Sequence, residues 1–455
     1  MSETKEIRIR VPSHVRSLVE ELQARSYQAF VVGGSLRDFL LNRPVSDWDV
    51  ATDARPHEVI ASFKRTVLTG AAHGTVVVLT EGGQVEVTTF RNEGPYSDSR
   101  HPDTVEFIDS VEEDLARRDF TVNAMAYDPS GHTFVDPFDG RGDLSRRVIR
   151  AVGDPLDRFS EDALRIMRAI RLAAILHFEI ASETLDAMVA LKDKVTEVSA
   201  ERVRDELMKC LEAEKPSEAF ELMRRVSLLR HVLPELEESV GVPQNRYHAY
   251  DVYFHSLMSC DAAGAEKPLV RLAALLHDVG KPITRDDSGP DATFYNHQSV
   301  GAEMADIALR RLRFSRADRE HVVKLVKNHM FNYTPQWSGG ALRRFVRKVG
   351  EENLADLFDL RIADRLGNGL KEGFPVSIEE MRTRIDSLLS EEHALKVSDL
   401  AVDGRDVMNE LNLDPGPEIG EVLKELLEAV LDDPSLNTRE RLLALMKDLK
   451  HSGRD

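Results

Sequence analysis

Two aspartates that are one residue apart, Asp47 and Asp49, are the first side chains in the sequence whose type and spacing could do chemistry. On an extended strand both carboxylates would point to the same face, because side chains alternate along a strand. Such a pair can hold two divalent ions that activate an attacking hydroxyl and stabilise a leaving oxygen, and Mg²⁺ suits a site built from oxygen ligands. Glu86, in the β-rich run QVEVTTF, is the candidate third carboxylate, although an exposed strand position would explain it equally well.

A phosphate-binding turn is predicted a few residues earlier. Gly33, Gly34 and Ser35 follow the apolar run AFVV and precede a predicted short helix. Glycine lets backbone N–H groups approach a phosphate closely, and the start of a helix favours negative charge. Arg37 would add a charge-assisted contact. Each motif alone is common, but their order along the chain predicts a site for a nucleoside triphosphate and two metal ions.

Asp162 and Arg165 are candidates for reading a base. They lie three residues apart in a segment, 160–177, whose apolar spacing predicts one helix, so they would share a helix face. An aspartate accepts hydrogen bonds and an arginine donates them in a fork, which together can pair with the edge of cytosine or adenine. The alternative is an ordinary salt bridge within the helix.

Four segments resemble one known family. They are GGSLRDFLLNRPVSDWDVATDARP (33–56), DLARRDFTVNAMAYD (114–128), FSEDALRIMRAIRLAAILHFEI (159–180) and ERVRDELMKCL (201–211). In this order they resemble the head and neck of bacterial class II tRNA nucleotidyltransferases, the CCA-adding enzymes. The resemblance implies that Arg117, Arg118 and Asp119 contact the nucleotide, that Asp162 and Arg165 select CTP and then ATP, and that the partner is the 3′ end of tRNA.

Related activities remain alternatives. The long polar stretch 91–114 resembles the flexible loop that these enzymes need for ATP, which favours addition of A. Enzymes that add only A or only CC, and bacterial poly(A) polymerases, share the same motifs. An RNA-end repair phosphohydrolase with a vestigial head and a non-catalytic RNA-binding protein are alternatives from other classes, and the intact Asp47–Asp49 pair argues against both.

A second cluster, in the C-terminal half, resembles the HD phosphohydrolase superfamily through LLHDVGKP (275–282) and the histidines and aspartate around it. The resemblance implies His255, His277, Asp278 and Asp364 as metal ligands, and His297 and His329 would complete a second ion or bind phosphate. Imidazoles with carboxylates suit Mn, Ni, Fe or Zn better than magnesium alone. The expected activity is removal of 2′,3′-cyclic phosphates or 2′-phosphates from RNA ends, and an inert RNA-binding platform is the alternative.

The chain of 455 residues is too long for one hydrophobic core. We predict an α+β nucleotidyltransferase head similar to that of polymerase β (1–150), an all-α neck (151–245), an HD-type helical body (246–390) and a helical tail (391–455). Predicted helices occupy 14–26, 160–177, 200–213, 216–229, 250–263, 268–278, 299–313, 316–329, 340–348, 353–367 and 376–390. No strand is predicted beyond about residue 155.

Composition narrows the class of protein further. The net charge of −19 argues against a broad nucleic-acid surface, but clusters such as Arg165, Arg168 and Arg171 could still form one basic groove. Only two cysteines are present, so a disulfide framework is not expected. No apolar run is long enough for a membrane span, and the charged start lacks the features of a secretory signal. We therefore expect a cytoplasmic protein without a membrane partner, whose oligomeric state the sequence leaves open.

Overall fold

The computed structural model describes residues 9–45, 47–70, 74–93, 105–370, 373, 375–390 and 396–452. The chain divides into two compact units, Met1–Pro234 and Glu235–Asp455. The finer division into head, neck, body and tail stays a prediction. Much of the polar stretch 91–114, namely 94–104, lies outside the described residues. Within the described ranges, none of the helices has the length and apolar character that crossing a membrane requires.

The first unit is built on a seven-stranded mixed sheet with the strand order β3-β4-β5-β2-β1-β8-β9. Strands β2 and β5 run parallel and the other neighbours antiparallel. The predicted hairpin at residues 81–83 is confirmed, because Thr80 pairs with Gly83 where β4 turns into β5. The strands of this unit are β1 (Ala29–Val32), β2 (Asp49–Thr52), β3 (Thr66–Gly70), β4 (Thr75–Thr80), β5 (Gly83–Thr89), β6 (Arg91–Glu93), β7 (Val105–Phe107), β8 (Ala126–Asp128), β9 (Thr133–Val135), β10 (Val148–Ile149) and β11 (Glu179–Ile180).

Short helices surround the sheet, and longer ones follow it in the sequence. They are α1 (Ser13–Ala24), α2 (Gly34–Leu40), α3 (Pro56–Ser62), α4 (Val111–Ala116), α5 (Gly140–Arg146), α6 (Pro155–Glu161), α7 (Leu164–Leu176), α8 (Ser182–Leu191), α9 (Ala200–Cys210), α10 (Pro216–Arg225), α11 (Leu229–Val232) and α12 (Pro234–Glu237). Helix α7 packs against α9 and α10, and most of its side chains are buried. The start of α7 therefore has a fixed position relative to α9.

Two predictions about this unit are wrong. Residues 160–177 do not form one helix, because α6 ends at Glu161 and α7 begins at Leu164. Asp162 has an extended backbone, and its side chain accepts a hydrogen bond from the N–H of Leu164. This local hydrogen bond replaces the helical conformation that was predicted for Asp162. A strand also exists beyond residue 155, since β10 pairs parallel with β11. A strand of two residues is too short to produce an alternating pattern.

The second unit is helical in its described part, apart from one isolated bridge between Asp286 and Thr293. Its helices are α13 (Val252–Ala262), α14 (Pro268–Leu276), α15 (Lys281–Thr284), α16 (His297–Arg311), α17 (Arg316–Asn328), α18 (Gly339–Val349), α19 (Glu351–Leu366), α20 (Val376–Ser390), α21 (Gly404–Leu411), α22 (Pro417–Asp432) and α23 (Arg439–Ser452). Helices α13, α14, α17 and α19 pack against one another. Helices α21, α22 and α23 enclose a separate apolar cluster.

Candidate functional site

A cleft of about 660 Å³ opens in the first unit. Its lining contains eight arginines but only four carboxylates, so an acidic protein presents a locally basic surface. The arginines are Arg37, Arg91, Arg117, Arg118, Arg165, Arg168, Arg171 and Arg202, and the carboxylates are Asp49, Glu86, Asp119 and Asp162. Most of the residues that the sequence predicted for nucleotide binding therefore line a single cleft, with the arginines suited to phosphate.

The sheet places two of the predicted catalytic carboxylates side by side. Asp49 opens β2 and is paired with Glu86 on β5, so the two side chains leave the same face of the sheet. Asp47 lies just before β2 and is exposed, whereas Trp48 between the two aspartates is buried. This alternation agrees with the predicted same-face arrangement, although the strand itself begins only at Asp49.

Asp49 carries an electrostatic cost that a cation would relieve. The pKa of its carboxyl is raised to about 6, mainly by burial and also by the neighbouring charges of Glu86 and Asp47, while the charge of Arg118 acts in the opposite direction. Asp49 and Glu86 line the cleft and Asp47 lies outside its lining, and three carboxylates that repel one another in this way are suited to divalent cations. The donor atoms are all oxygen, which fits the magnesium ions that the sequence predicts.

The glycine turn is shaped by its proximity to the acidic strand. Gly33 has a φ of +79°, which glycine adopts readily, and a Cβ there would lie 3.4 Å from both Asp49 Oδ2 and Arg118 Nη1. Ser35 does not line the cleft, because its hydroxyl donates to the carbonyl of Val32. Any contact between Ser35 and a phosphate would therefore come from its backbone.

Arg37 enters the cleft from α2 and is held by side chains on both sides. Its guanidinium pairs with Asp38 and donates to Asn123 Oδ1 at 2.8 Å. Asn123 donates in turn to Asp119 Oδ1 at 3.2 Å, so it links two of the predicted nucleotide-binding residues.

Arg117 and Arg118 share one buried acidic partner, Asp114. Arg117 lies 2.8 Å and Arg118 3.2 Å from the two oxygens of this carboxylate. Burial would raise the pKa of Asp114, but the two arginines more than offset it and hold the pKa below its usual range. Within the described residues, the buried Nε of Arg118 has no hydrogen-bond partner.

Asp119 is buried and forms an ion pair with Arg168 of α7 at 2.6 Å. Burial acts to raise the pKa of this carboxyl, but Arg168 outweighs it and the pKa falls to about 2. Arg168 also faces the buried Glu206 of α9, which pairs with Arg171 as well. The carboxylate is therefore ionised and fixed before any nucleotide arrives.

Asp162 and Arg165 both reach the cleft, but they are not paired with each other. Asp162 receives a two-pronged contact from Arg202 of α9, at 2.6 and 3.2 Å. Arg165 is buried, forms an ion pair with Glu161 at 2.7 Å, and donates to the carbonyls of Arg117 and Arg158. The salt bridge expected as the alternative interpretation is thus absent between these two residues, because the helix break separates them.

Sequence reasoning named Arg168 only as part of a basic cluster, and it missed three further residues that hold the predicted ones in place: Asp114, Arg202 and Glu206. Asp114 precedes the two arginines by three and four residues, a spacing that could have identified it. The partners of Arg168 and Arg202 lie 49 and 40 residues away, and local spacing contains no information on such contacts.

The predicted second cluster forms within the second unit. Six side chains converge there, five of them almost fully buried, while Asp364 is 14% exposed. They are His255, His277, Asp278, His297, His329 and Asp364, and two groups of three among them are close enough to hold a metal ion. Burial, with help from His277, lowers the pKa of His329 to about 3, so this imidazole is neutral and able to bind a metal.

Two cations lie against the carboxylates of this cluster. Lys281 is buried and contacts Asp278 Oδ2 and Gln244 Oε1, each at 2.6 Å. Arg361 pairs with the second oxygen of Asp364 at 2.5 Å. The donor set of imidazole and carboxylate fits a transition metal better than magnesium, as the sequence predicts.

Three family models match successive segments of the chain. Residues 29–150 match the poly(A) polymerase head domain, residues 177–239 match the probable RNA and SrmB-binding site of polymerase A, and residues 246–369 match the HD domain. The cleft lining falls largely in the first of these segments, and the cluster of histidines and aspartates falls in the third.

Relatives that match over almost the whole length of the chain identify its family more specifically. The chain is 34% identical to a CCA-adding enzyme of Streptococcus thermophilus, covering 95% of this chain and 96% of the relative, and 33% identical to one of Enterococcus faecalis, covering 96% of each. The crystal structure of the Bacillus stearothermophilus CCA-adding enzyme in complex with CTP matches with a TM-score of 0.72 at 28% identity, covering 96% of this chain and 97% of that one. A Thermotoga maritima CCA-adding enzyme in complex with tRNA shares the fold, with a TM-score of 0.55 at 20% identity. The chain therefore belongs to the family of CCA-adding enzymes.

Proposed function

We propose that this protein adds C, C and A to the 3′ end of tRNA, using CTP and then ATP. The terminal hydroxyl of the tRNA attacks the α-phosphate, a new P–O bond forms, and pyrophosphate leaves. The observation that carries the proposal is that three kinds of group line a single cleft. They are the carboxylates of Asp49 and Glu86, arginines in excess over carboxylates, and the two candidate base readers, Asp162 and Arg165.

The acidic strand and the glycine turn would handle the triphosphate. Asp47, Asp49 and Glu86 are the residues that would hold Mg²⁺, and such ions activate the attacking hydroxyl and stabilise the leaving oxygen. Gly33 and Gly34 let the backbone approach the phosphates, with Arg37 as a charged donor beside them. The buried, unpartnered Nε of Arg118 supports a ligand contact, because buried donors are normally satisfied.

Base selection would rest on two side chains that are already oriented by the protein. Arg202 fixes the carboxylate of Asp162, which can accept the exocyclic amine of cytosine or adenine. Glu161 and two backbone carbonyls fix Arg165. UTP and GTP present a carbonyl where CTP and ATP present an amine, so they would leave the aspartate facing an acceptor.

The full-length relatives favour complete CCA addition over poly(A) synthesis. The head matches a family named for poly(A) polymerase. The two relatives described above, however, are CCA-adding enzymes, and their similarity to this chain extends over almost their whole length. Enzymes that add only CC or only A remain alternatives at this level of similarity, and they are separated by the product.

The test uses three tRNA substrates, which lack the terminal CCA, the terminal CA and the terminal A respectively, each incubated with CTP, ATP or both. Complete addition predicts that CTP alone extends the first two substrates to CC, that ATP alone extends only the third, and that both together stop at CCA. A product that stops at CC would indicate a CC-adding enzyme, extension of the third substrate alone would indicate an A-adding enzyme, and a long A tail would indicate a poly(A) polymerase.

We propose a second activity, hydrolysis of phosphate esters, for the cluster in the second unit. His255, His277, Asp278 and Asp364 would hold a transition metal, and a metal-bound water is a nucleophile for phosphate esters. Lys281 would offset phosphate charge beside them. The observation that favours this activity is the buried convergence of four imidazoles and two carboxylates, which is a suitable set of ligands for a transition metal.

Exposed tyrosines next to the cluster favour an RNA end as its substrate. Tyr295, 77% exposed, lies two residues before His297. Tyr250, 40% exposed, follows Ala249, whose N–H bonds the carbonyl of Asn368, and the carbonyl of the preceding Gly367 bonds His255. Exposed aromatic rings are surfaces on which unpaired bases stack.

This second activity is tested with short RNAs that end in a 2′,3′-cyclic phosphate or a 2′-phosphate, in the presence of Mn²⁺ or Ni²⁺. We expect the wild-type protein to release the phosphate or open the ring, and His277→Ala to do neither. If the wild-type protein binds no transition metal and hydrolyses neither RNA, the cluster is not a hydrolase, and the proposal for the first unit is unaffected.

We also propose that the protein works in the cytoplasm. Cys210 and Cys260 are both free and buried, and burial raises the pKa of each thiol, which keeps the thiols unreactive. Free thiols are typical of a reducing compartment such as the cytoplasm.

A further inference from the structure

We propose that Thr75 and Thr88 bind the terminal nucleotide of the RNA that is extended, on the side of the cleft formed by β4 and β5. The proposal rests on the nucleotide addition proposed above and assigns residues to its second substrate, the acceptor RNA. It is carried by the position of the two threonines in the sheet, by the chemistry of their hydroxyls, and by the geometry that phosphoryl transfer requires.

The strand that begins at Asp49 divides the cleft lining into two sides. Asp49 is paired with Val32 at the end of β1 and with Glu86 on β5, because β2 lies between these two strands in the sheet. The glycine turn follows β1 directly, and a Cβ on Gly33 would lie 3.4 Å from Asp49 Oδ2. Glu86 is therefore on the opposite side of Asp49 from the glycine turn.

Thr75 and Thr88 extend the side of the cleft that contains Glu86. Thr88 lies two residues after Glu86 on β5, so the two side chains share one face of the sheet. Thr75 on β4 is directly opposite Thr88, so its side chain lies on that face as well. Neighbouring strands are about 4.8 Å apart, so β4 lies about 10 Å from β2, on the side away from β1. Both threonines are half-buried and line the cleft.

The geometry of the reaction determines which substrate occupies each side. In phosphoryl transfer the attacking and leaving oxygens lie on opposite sides of the phosphorus, roughly in line with it. The proposed phosphate contacts, Gly33, Gly34 and Arg37, direct the leaving pyrophosphate to the side of the glycine turn. The attacking 3′-hydroxyl must then approach from the side of Glu86, and the nucleotide that carries it must lie over β5 and β4, next to the two threonines.

The two hydroxyls are suited to bind a sugar or phosphate oxygen. Thr75 Oγ1 and Thr88 Oγ1 are 3.2 Å apart, so one hydroxyl donates to the other. Among the residues that the structure describes, neither side chain forms another hydrogen bond. The hydroxyl that accepts therefore keeps its own proton for a ligand, and both oxygens keep lone pairs that can accept from a ribose hydroxyl.

A neutral contact also suits an acceptor that has to move. Each addition lengthens the RNA by one nucleotide, so the new terminal nucleotide must take the place of the previous one. Hydrogen bonds between neutral groups are weaker than those to charged groups, so such a contact is more easily released after each step.

The alternative is that the two threonines only stabilise the sheet, as cross-strand threonine pairs commonly do. A role of this kind would affect the unfolding temperature, but it would not affect the rate at which the folded protein extends RNA. The extension rate and its response to changes in the terminal nucleotide therefore distinguish the two roles.

The experiment measures single-turnover extension of a tRNA that lacks only its terminal A, at saturating tRNA and increasing ATP. In the Thr75→Val and Thr88→Val double variant each hydroxyl becomes a methyl group, and the β-branched shape that suits a strand is kept. We expect the maximal extension rate to fall about tenfold, the effect of a lost hydrogen bond. The ATP concentration that gives half of this rate should stay within about twofold of the wild-type value.

The matched control is Thr66→Val, which removes the hydroxyl of a half-buried threonine on β3 that does not line the cleft. This variant should extend the RNA at the wild-type rate. Extension at the wild-type rate by the double variant would overturn the proposal. A weaker apparent affinity for ATP with an unchanged maximal rate would overturn it too, because the threonines would then act on the nucleotide and not on the acceptor.

Two altered acceptor RNAs locate the contact. In one the terminal nucleotide lacks its 2′-hydroxyl, and in the other its phosphate linkage is a methylphosphonate. At least one of them should slow the wild-type protein about tenfold and slow the double variant much less, because the variant has already lost the contact. If each alteration slows the two proteins by equal factors, or slows neither, the threonines do not contact the terminal nucleotide.

The outcomes separate this proposal from the one on which it rests. If the wild-type protein extends no RNA, nucleotide addition itself is refuted. If the wild-type protein extends RNA and the double variant behaves in the same way with all three acceptors, only the binding site for the terminal nucleotide is refuted.

Discussion

The cleft of the first unit contains four carboxylates and the cluster of the second contains two, and Asp49 of the cleft is in the opposite electrostatic state to both carboxylates of the cluster. In the cleft, Asp49 is ionised at a cost, because burial and neighbouring carboxylates raise its pKa to about 6. In the cluster, Asp278 and Asp364 are buried too, which would raise their pKa values, yet the surrounding imidazoles, Lys281 and Arg361 hold both pKa values well below the usual range.

This difference indicates how each site would treat its metal. A cleft of repelling oxygens gains from ions that arrive with the charged triphosphate and leave with pyrophosphate, which suits magnesium. A buried cluster of imidazoles and carboxylates suits a transition metal that stays bound to the protein between reactions. The four predictions that follow test this contrast, from the largest expected effect to the smallest.

The largest effect is a separation of the two activities. Asp278→Ala should abolish metal-dependent hydrolysis of RNA-end phosphates, because it removes a buried carboxylate of the cluster, and nucleotide addition should stay within about twofold of wild type. Both activities are measured on the same preparation. If nucleotide addition falls together with hydrolysis in a folded variant, the two sites are not independent.

Base selection should weaken when the fork of Arg165 is lost. For Arg165→Ala we expect the preference for CTP over UTP, measured as the ratio of kcat/KM values, to fall about 10- to 100-fold, the effect of one or two charge-assisted hydrogen bonds. Arg165→Lys should lose most of the preference as well, because an ammonium cannot donate in a fork.

Arg225→Ala is the control for this measurement, since Arg225 belongs to the same unit but does not line the cleft. A CTP preference that survives in both Arg165 variants would assign base selection to other residues.

Nucleotide addition should depend on pH through Asp49. With a pKa of about 6, this carboxyl takes up a proton as the pH falls below 6, and a protonated carboxyl cannot bind a metal. We expect kcat/KM for CTP at low Mg²⁺ to fall up to tenfold per pH unit below about pH 6, and the midpoint to move to lower pH as Mg²⁺ is raised. A profile that stays flat to pH 5 at low Mg²⁺ would contradict the raised pKa.

The smallest effect is an opposite change in stability at two carboxylates of the same cleft. The folded protein binds a proton at Asp49 more tightly than the unfolded chain does, so the ionised carboxylate destabilises the fold above pH 6. Asp49→Asn removes this charge and should raise the unfolding free energy at pH 7 by about 1–3 kcal/mol. Asp119 has a pKa of about 2, so it stabilises the fold at pH 7 and loses this contribution only as the pH falls toward 2.

Asp119→Asn should therefore lower the unfolding free energy by about 2 kcal/mol. Calorimetric unfolding of metal-free protein at pH 7 measures both variants, and each kcal/mol corresponds to about 2–4 °C in Tm for a unit of this size. Shifts of the same sign in the two variants would contradict this contrast.

The two regions also differ in how well they could be predicted. All six residues of the cluster were named from the sequence, because a pattern of one His-Asp dipeptide among separate histidines and an aspartate is specific, and the structure brings their buried side chains together. Their role as metal ligands stays a prediction. In the cleft, Asp49, Glu86 and Arg37 were located by spacing and strand pattern, and the residues that hold the site were not. Arg202 reaches Asp162 across 40 residues, and that contact depends on the packing of α7 against α9.

The break between α6 and α7 shows the limit of periodicity. Apolar spacing continues through Asp162 as if the helix did, but the short aspartate side chain bonds the backbone two residues later and ends α6. As a consequence Asp162 meets Arg202 instead of Arg165. The chemistry of the two candidate base readers was predicted from their types, whereas the pairing of Asp162 with Arg202 required the tertiary structure.

The central claim is that the acidic strand of the first unit carries out nucleotide addition. The most direct measurement is single-turnover extension of a tRNA that lacks its terminal CCA, with CTP and ATP, by the Asp47→Ala and Asp49→Ala double variant beside the wild-type protein. We predict that the wild-type protein completes CCA, and that the double variant, while still folded and able to bind tRNA, adds no nucleotide. Addition at the wild-type rate by the double variant would contradict the account.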